Sequence, residues 1–173
     1  HGSEISMSAG FETMVSLPDS EIKPQPFLFE TGEEISSFST KDNLFFMNPS
    51  WSHDDNFVVA IVLGEYGKSI IKIDVKTADY EYLLPFNFTN ISYPVMKDNK
   101  VMFTGAYGGI DNIYSLDIIN NNQYQLSNVK FGASFARFQN INEVVTFSNY
   151  TSDGFRIAFL DTLDFKRVNL KNL

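Results

Sequence analysis

The sequence predicts an all-β fold, a partial β-propeller of about three four-stranded antiparallel blades. Three observations predict it. Landmarks recur at a step of about 43 residues. Strand-type periodicity fills each repeat. Turn-forming residues punctuate the chain between those strands.

The recurrence is read from three sets of residues. Asp74, Asp117 and Asp161 lie 43 and 44 residues apart. Tyr66, Tyr107 and Tyr150 follow at steps of 41 and 43. Leu84, Leu126 and Val168 close the units at steps of 42. Drift of one or two residues is what variable loop lengths produce.

Each unit then reads as strands. Val58 to Val62, Val101 to Phe103 and Val144 to Phe147 are short apolar runs. Ile71, Ile73 and Val75 alternate with Lys72, Asp74 and Lys76, the period of a half-buried strand. Tyr114, Leu116 and Ile118 repeat that alternation. Further strands are expected at Tyr80–Leu84, Gln123–Ser127 and Phe165–Leu170. The connectors "GEYGKS", "KTAD", "GAYGGIDN", "NNNQ" and "NYTSDG" are rich in turn formers. Repeats of this length and content match propeller blades, and a lone blade leaves an apolar face wet until a neighbour covers it.

Composition sets the outer bounds. A chain of 173 residues suits one domain that buries roughly 70% of its unfolded surface. No cysteine is present, so disulfides, thiolate metal sites and a cysteine nucleophile are excluded. The net charge of −8 repels phosphate backbones and argues against nucleic acid. No apolar run approaches the ~20 residues of a membrane-spanning helix.

The organisation expected is as follows. Residues 1–3 read as a tag remnant and 4–25 as an extended lead-in. The propeller fragment covers 26–173, with blades at about 49–92, 93–134 and 135–173 and extra strands in 26–47. Three blades leave edges open, which invites self-association. The chain is expected to be an excised piece of a longer protein.

The stretch "PSWSHDDNFVVAIV" leading to "IIKIDV" carries a resemblance. It resembles TolB-like, WD-repeat-like propellers, whose blades open on Pro-x-Trp-Ser-Pro-Asp-Gly. Pro49, Trp51, Ser52, Asp54 and Asp74 match; His53 and Asp55 replace the pattern's proline and glycine. The second unit keeps Pro94, Asp98, Tyr114 and Asp117, and the third keeps Phe138 and Asp161. The span from Pro85 to Asp117 is similar to the propeller portion of large uncharacterised envelope proteins of Gram-negative bacteria. The resemblance implies a periplasmic or outer-membrane-associated location and a module that engages protein or peptide.

No catalytic residues, metal ligands or cofactor-binding residues are assigned. Ser52, His53, Asp54 and Asp55 hold the residue types of a hydrolytic triad. Neighbours in one turn point apart, however, and the expected role of Trp51, Ser52, Asp54 and Asp98 is structural, in turns. The alternating acids of a calcium loop are missing. "GAYGG" lacks the lysine, hydroxyl residue and helix of a phosphate loop. Tyr66, Tyr107 and Tyr150, with Asp111, form the candidate interaction rim, since tyrosine is favoured in interfaces. Two alternatives to a protein-binding module follow. One is the propeller lid of a prolyl-oligopeptidase-like serine peptidase whose catalytic domain lies elsewhere. The other is a glycan-binding module using Trp51 or the three tyrosines.

Overall fold

A computed structural model describes residues 4–7, 36–40, 44–139, 144–161 and 168–169. The tag remnant, most of the lead-in, the Pro26–Glu30 stretch and most of Phe165–Leu170 lie outside the described residues. Fourteen strands are assigned there, and no helix. β1 (Glu4–Met7) and β2 (Ser36–Ser39) pair as a two-stranded ribbon. The first sheet runs in chain order through β3 (Phe45–Trp51), β4 (Phe57–Gly64), β5 (Gly67–Asp74) and β6 (Tyr80–Tyr82). The second repeats it with β7 (Ile91–Lys97), β8 (Lys100–Gly105), β9 (Asn112–Asp117) and β10 (Asn122–Gln125). The third holds β11 (Ala133–Phe138), β12 (Val144–Thr151) and β13 (Gly154–Asp161). β14 (Val168–Asn169) completes the set. The strands pair antiparallel, and β3–β6, β7–β10 and β11–β13 each follow the meander order of propeller blades.

The strands depart from the expected blades in two places. Of the extra strands expected in 26–47, the stretch Asn43–Met47 is not an element apart from the blades: β3 begins at Phe45, and Pro49 and Trp51 belong to that strand rather than to a turn. The turn signals after Trp51 pulled the expected boundary downstream. The third sheet has three strands among the described residues. Val168, expected in its fourth, pairs instead with Gln125 on the outer edge of the second sheet. There it occupies backbone groups that an edge strand leaves unpaired.

Alternation along the strands builds three apolar layers. Val59, Ile61 and Ile70 of the first sheet meet Ile91, Met96, Val101, Phe103 and Leu116 of the second. Met102 and Ile113, on the second sheet's other face, meet Ala133, Ala136, Val145 and Phe147 of the third. Val58, Ala60, Val62, Ile71 and Ile73 face the opposite way and are buried with Phe38 of β2. The Phe38 ring packs edge-on against Phe46 and Tyr80. Full burial of one such aliphatic side chain contributes about 1.5–3 kcal/mol, so these layers hold the sheets together.

Two short devices fix the sheets, and the first of them repeats. Asp74 Oδ1 accepts from the backbone N–H groups of Lys76 and Thr77. Asp117 Oδ1 accepts from those of Ile119 and Asn120. Each aspartate closes the turn into the outermost strand, which gives a physical reason for the recurrence of Asp74 and Asp117. Those backbone bonds, Thr77 first and then Lys76, hold the Asp74 carboxyl below the usual carboxylate range. The second device is a backbone crossing. Lys68 N–H donates to Asn87 O at 2.7 Å, and Asn87 N–H returns a bond to Lys68 O. Gly67, at φ +102°, lies beneath it, where any Cβ would overlap the Asn87 carbonyl.

Candidate interaction site

The first strands of the three sheets converge. β3 packs beside β7, and β7 beside β11. Backbone links bind them: Ser52 bridges to Met96, and His53 N–H donates to Met96 O at 3.0 Å. Each first strand is bulged at one register shift, between Met47 and Ser50, Ser92 and Val95, and Ser134 and Arg137. Inside each shift one residue is left-handed: Asn48 (φ 51°), Tyr93 (φ 53°) and Phe135 (φ 58°). Asparagine tolerates that conformation; for a bulky side chain it is an outlier costing roughly 1–2 kcal/mol. A bulge re-aims the side chain it carries.

Here the re-aimed side chains meet. The Tyr93 and Phe135 rings have centroids 4.1 Å apart and planes tilted by 37°. Tyr93 N–H points at Asn48 Oδ1 at 3.5 Å, at the limit of hydrogen bonding. Tyr93 is half-buried and Phe135 is exposed. The three sheets thus present a bulged, aromatic inner edge. Such a surface suits apolar or proline side chains of an extended segment, at small entropic cost because the rings are already placed.

The turn residues lie at one end of the sheets. Ser52 Oγ donates to Asp54 Oδ1 at 2.6 Å and accepts from Phe57 N–H at 2.9 Å. Asn56 Nδ2 donates to Asp54 Oδ2 at 2.7 Å. The Ser52 hydroxyl, followed by Asn56, holds the Asp54 carboxyl down at about 2. Ser52 is buried and its hydroxyl is engaged by these two partners, so it is not presented as a nucleophile. Asp55 takes φ 57° at the position where the TolB-like pattern has glycine. Asp98 takes φ 51° in the tight β7–β8 turn and is exposed. Trp51 ends β3, partly exposed.

The tyrosine rim lies at the other end, and its members are not equivalent. Tyr66 stands exposed in the β4–β5 turn. Tyr107 is packed against Phe103 and Tyr114, and its hydroxyl points to Gln123 Oε1 at 3.4 Å. Burial, with Tyr114 as a lesser cause, pushes its phenol up to about 12. Tyr150 lies within β12, not in a loop, with its ring against Phe155. Asp111 uses its backbone carbonyl to accept from Ala133 N–H, tying the second sheet to the third. Tyr93 and Phe135 escaped sequence reading because neither residue type announces a left-handed bulge.

A cleft of about 290 Å³ opens between the second and third sheets at the turn end. Lys97, Asp98 and Lys100 rim it, over Met102, Leu126 and Phe138. It also takes in Ser115, which stands where the repeat places Lys72 in the first sheet. There the Lys72 ammonium covers the Phe57 ring and pairs with Glu81. The short serine leaves that space empty.

No protein-family model and no characterised protein sequence matches the chain. Solved structures do. TolB from Acinetobacter baumannii superposes with a TM-score of 0.64 at 18% identity, over 82% of this chain and 35% of that one. A protein assigned as TolB from Agrobacterium tumefaciens gives 0.61 at 14%, over 81% and 57%. A puromycin-hydrolysing peptidase from Mycobacterium tuberculosis gives 0.58 at 10%, over 82% and 24%. The chain therefore spans between a quarter and three fifths of the proteins it superposes on. At these identities the likeness establishes architecture alone: the chain folds as a TolB-like partial β-propeller.

Proposed function

We propose that this chain is a non-catalytic propeller module that binds an extended protein or peptide segment along its inner edge. The observation that carries the reading is the Tyr93–Phe135 pair. Two bulky residues hold a costly backbone conformation and so set an aromatic surface on converging strands. Backbone strain of this kind collects at functional sites. The resemblance of the sequence to TolB-like envelope proteins supports a role in the cell envelope, periplasmic or outer-membrane-associated.

Selection of a random peptide library on the purified chain tests it. Enriched peptides are expected to lose binding to Phe135→Gly, which keeps the left-handed backbone and removes the ring. Binding that survives Phe135→Gly and Tyr93→Gly alike sinks the reading.

A second reading, a propeller unit attached to a hydrolase, is favoured by the superposition on the puromycin-hydrolysing peptidase. A G-x-S-x-G elbow encoded in frame with this chain would support it. The glycan-binding reading has less support. Trp51, Tyr66 and Tyr150 are exposed, as it requires of Trp51 or the tyrosines, but Tyr107 is packed inward and Trp51 lies at the opposite end of β4 from Tyr66.

A further inference from the structure

The repeat register compares equivalent side chains between the first two sheets. Phe57, Lys72 and Glu81 of the first correspond to Lys100, Ser115 and Tyr124 of the second. In the first sheet the three satisfy one another. The Lys72 ammonium lies 4.8 Å over the Phe57 ring and pairs with Glu81. The second sheet breaks that set. Serine replaces the long side chain that fills the space, and tyrosine replaces the acid. A cation, Lys100, stands where the ring was. Among the described residues Lys100 has no ion-pair partner. The cleft of about 290 Å³ between the second and third sheets opens at this place.

We propose that this cleft binds a small free carboxylate with an apolar tail, a medium-chain or arylalkyl acid. The ligand's carboxylate supplies the negative charge that Glu81 supplies in the first sheet. Its tail lies on Met102, Leu126 and Phe138. The volume is at the lower end for ligand pockets, which favours a small molecule over a folded partner. The rim selects the sign of the ligand. Lys97 joins Lys100 there, and its Nζ makes one long bond, 3.4 Å to Gln139 O, leaving donors to spare. Two acids also line the cleft. Asp117 is committed to its own turn: Oδ1 accepts from the N–H groups of Ile119 and Asn120, and Oδ2 from Asn120 Nδ2. Asp98, in the exposed β7–β8 turn, is the other. Two cations therefore stand against one uncommitted acid in the lining. Neither Tyr93 nor Phe135 lines this cleft, so its failure leaves the peptide-binding reading untouched.

Calorimetric titration of the chain with octanoate, octylammonium and octanol tests the proposal. Octanoate is expected to bind at one saturable site, and the other two at least about tenfold more weakly, because charge-assisted hydrogen bonds are the stronger ones. Salt weakens octanoate binding by screening. Lys100→Gln is expected to weaken it by roughly tenfold, the effect of losing a bond to a charged group. Asp98→Asn keeps a residue that tolerates the left-handed backbone, removes the like charge and strengthens binding. Ser115→Leu puts a longer side chain where the first sheet carries Lys72, fills the cleft and abolishes binding. Far-UV dichroism establishes that each variant is folded. Lys100 is exposed, so Lys100→Gln carries the test even where Ser115→Leu fails to fold. Absence of octanoate binding at low millimolar concentration overturns the proposal. So does octylammonium binding as tightly as octanoate, or a folded Lys100→Gln variant that binds octanoate like the wild type.

Discussion

The rings of Tyr93 and Phe135 touch across the second and third sheets only because both backbones are left-handed at a β-bulge. Neither residue holds that conformation cheaply, and the ring contact recovers part of the cost. A left-handed non-glycine residue loses roughly 1–2 kcal/mol. An aromatic pair returns about 0.5–1.5 kcal/mol beyond its buried area.

These opposing terms predict a small effect on stability. Phe135→Gly relieves the strain, loses the ring contact and adds about 0.4–1 kcal/mol of unfolded-state freedom. Urea unfolding is expected to place it within about 1 kcal/mol of wild type. Phe103→Ala, in the layer between the first and second sheets, should lose about 3–5 kcal/mol. A comparable loss for Phe135→Gly would mean that the ring at the inner edge serves the core rather than a ligand.

Gly67 answers to a different constraint. A Cβ there would strike the carbonyl of Asn87, whose segment is bonded in both directions to Lys68. Gly67→Ala must break that crossing or distort β5, at about 2–4 kcal/mol from overpacking and backbone strain together. Gly108→Ala meets nothing within 4 Å and is expected to stay within about 0.5 kcal/mol of wild type. Paired urea midpoints check both. A mild Gly67→Ala would show that the Lys68–Asn87 crossing yields easily.

The acid limb of stability should report the β3–β4 turn. The Asp54 carboxyl is held at about 2 by Ser52 and Asn56, below its value in an unfolded chain. The unfolded state therefore takes up its proton first as pH falls. The contribution of this group is present above pH ~4 and is lost between about 4 and 2. Asp54→Asn should lower the urea midpoint at neutral pH and flatten its fall across that window, so that the variant and the wild type converge near pH ~2. An unaltered acid slope would assign the loss to other groups, with Asp74 next in line because its carboxyl is also held down.

What was legible in the sequence was whatever repeats through side-chain chemistry. Asp74 and Asp117 recur because each closes its turn with the same two backbone bonds, and the apolar alternation recurs because the first and second sheets are each packed on both faces. Strand limits were less legible. Trp51 looked like turn because Ser52 to Asn56 follow it, yet it pairs with Val58 in β3. Tyr150 matched Tyr66 and Tyr107 by spacing, but β12 runs on to Thr151 before a tight turn, so the same count lands inside a strand. The bulges were illegible at Tyr93 and Phe135, where packing between first strands overrides backbone preference. The pairing of Val168 with Gln125 was equally hidden, since either sheet offers an edge.

The repeat register yields one more prediction, at Thr104. It lies on the face of the second sheet toward the third, opposite Ile113 in β8–β9 pairing. In the first sheet the equivalent position is Ile61, fully buried. Thr104 is equally enclosed, and among the described residues its Oγ1 has no hydrogen-bond partner. A buried hydroxyl without a partner costs about 1–3 kcal/mol, whereas the methyl of valine fits the same volume without that penalty. Thr104→Val is therefore expected to raise stability by about 1 kcal/mol, read as a higher urea midpoint at unchanged slope. A loss of stability in Thr104→Val would mean that the hydroxyl is satisfied by a trapped water, and that the layer between the second and third sheets is wet where the first is dry.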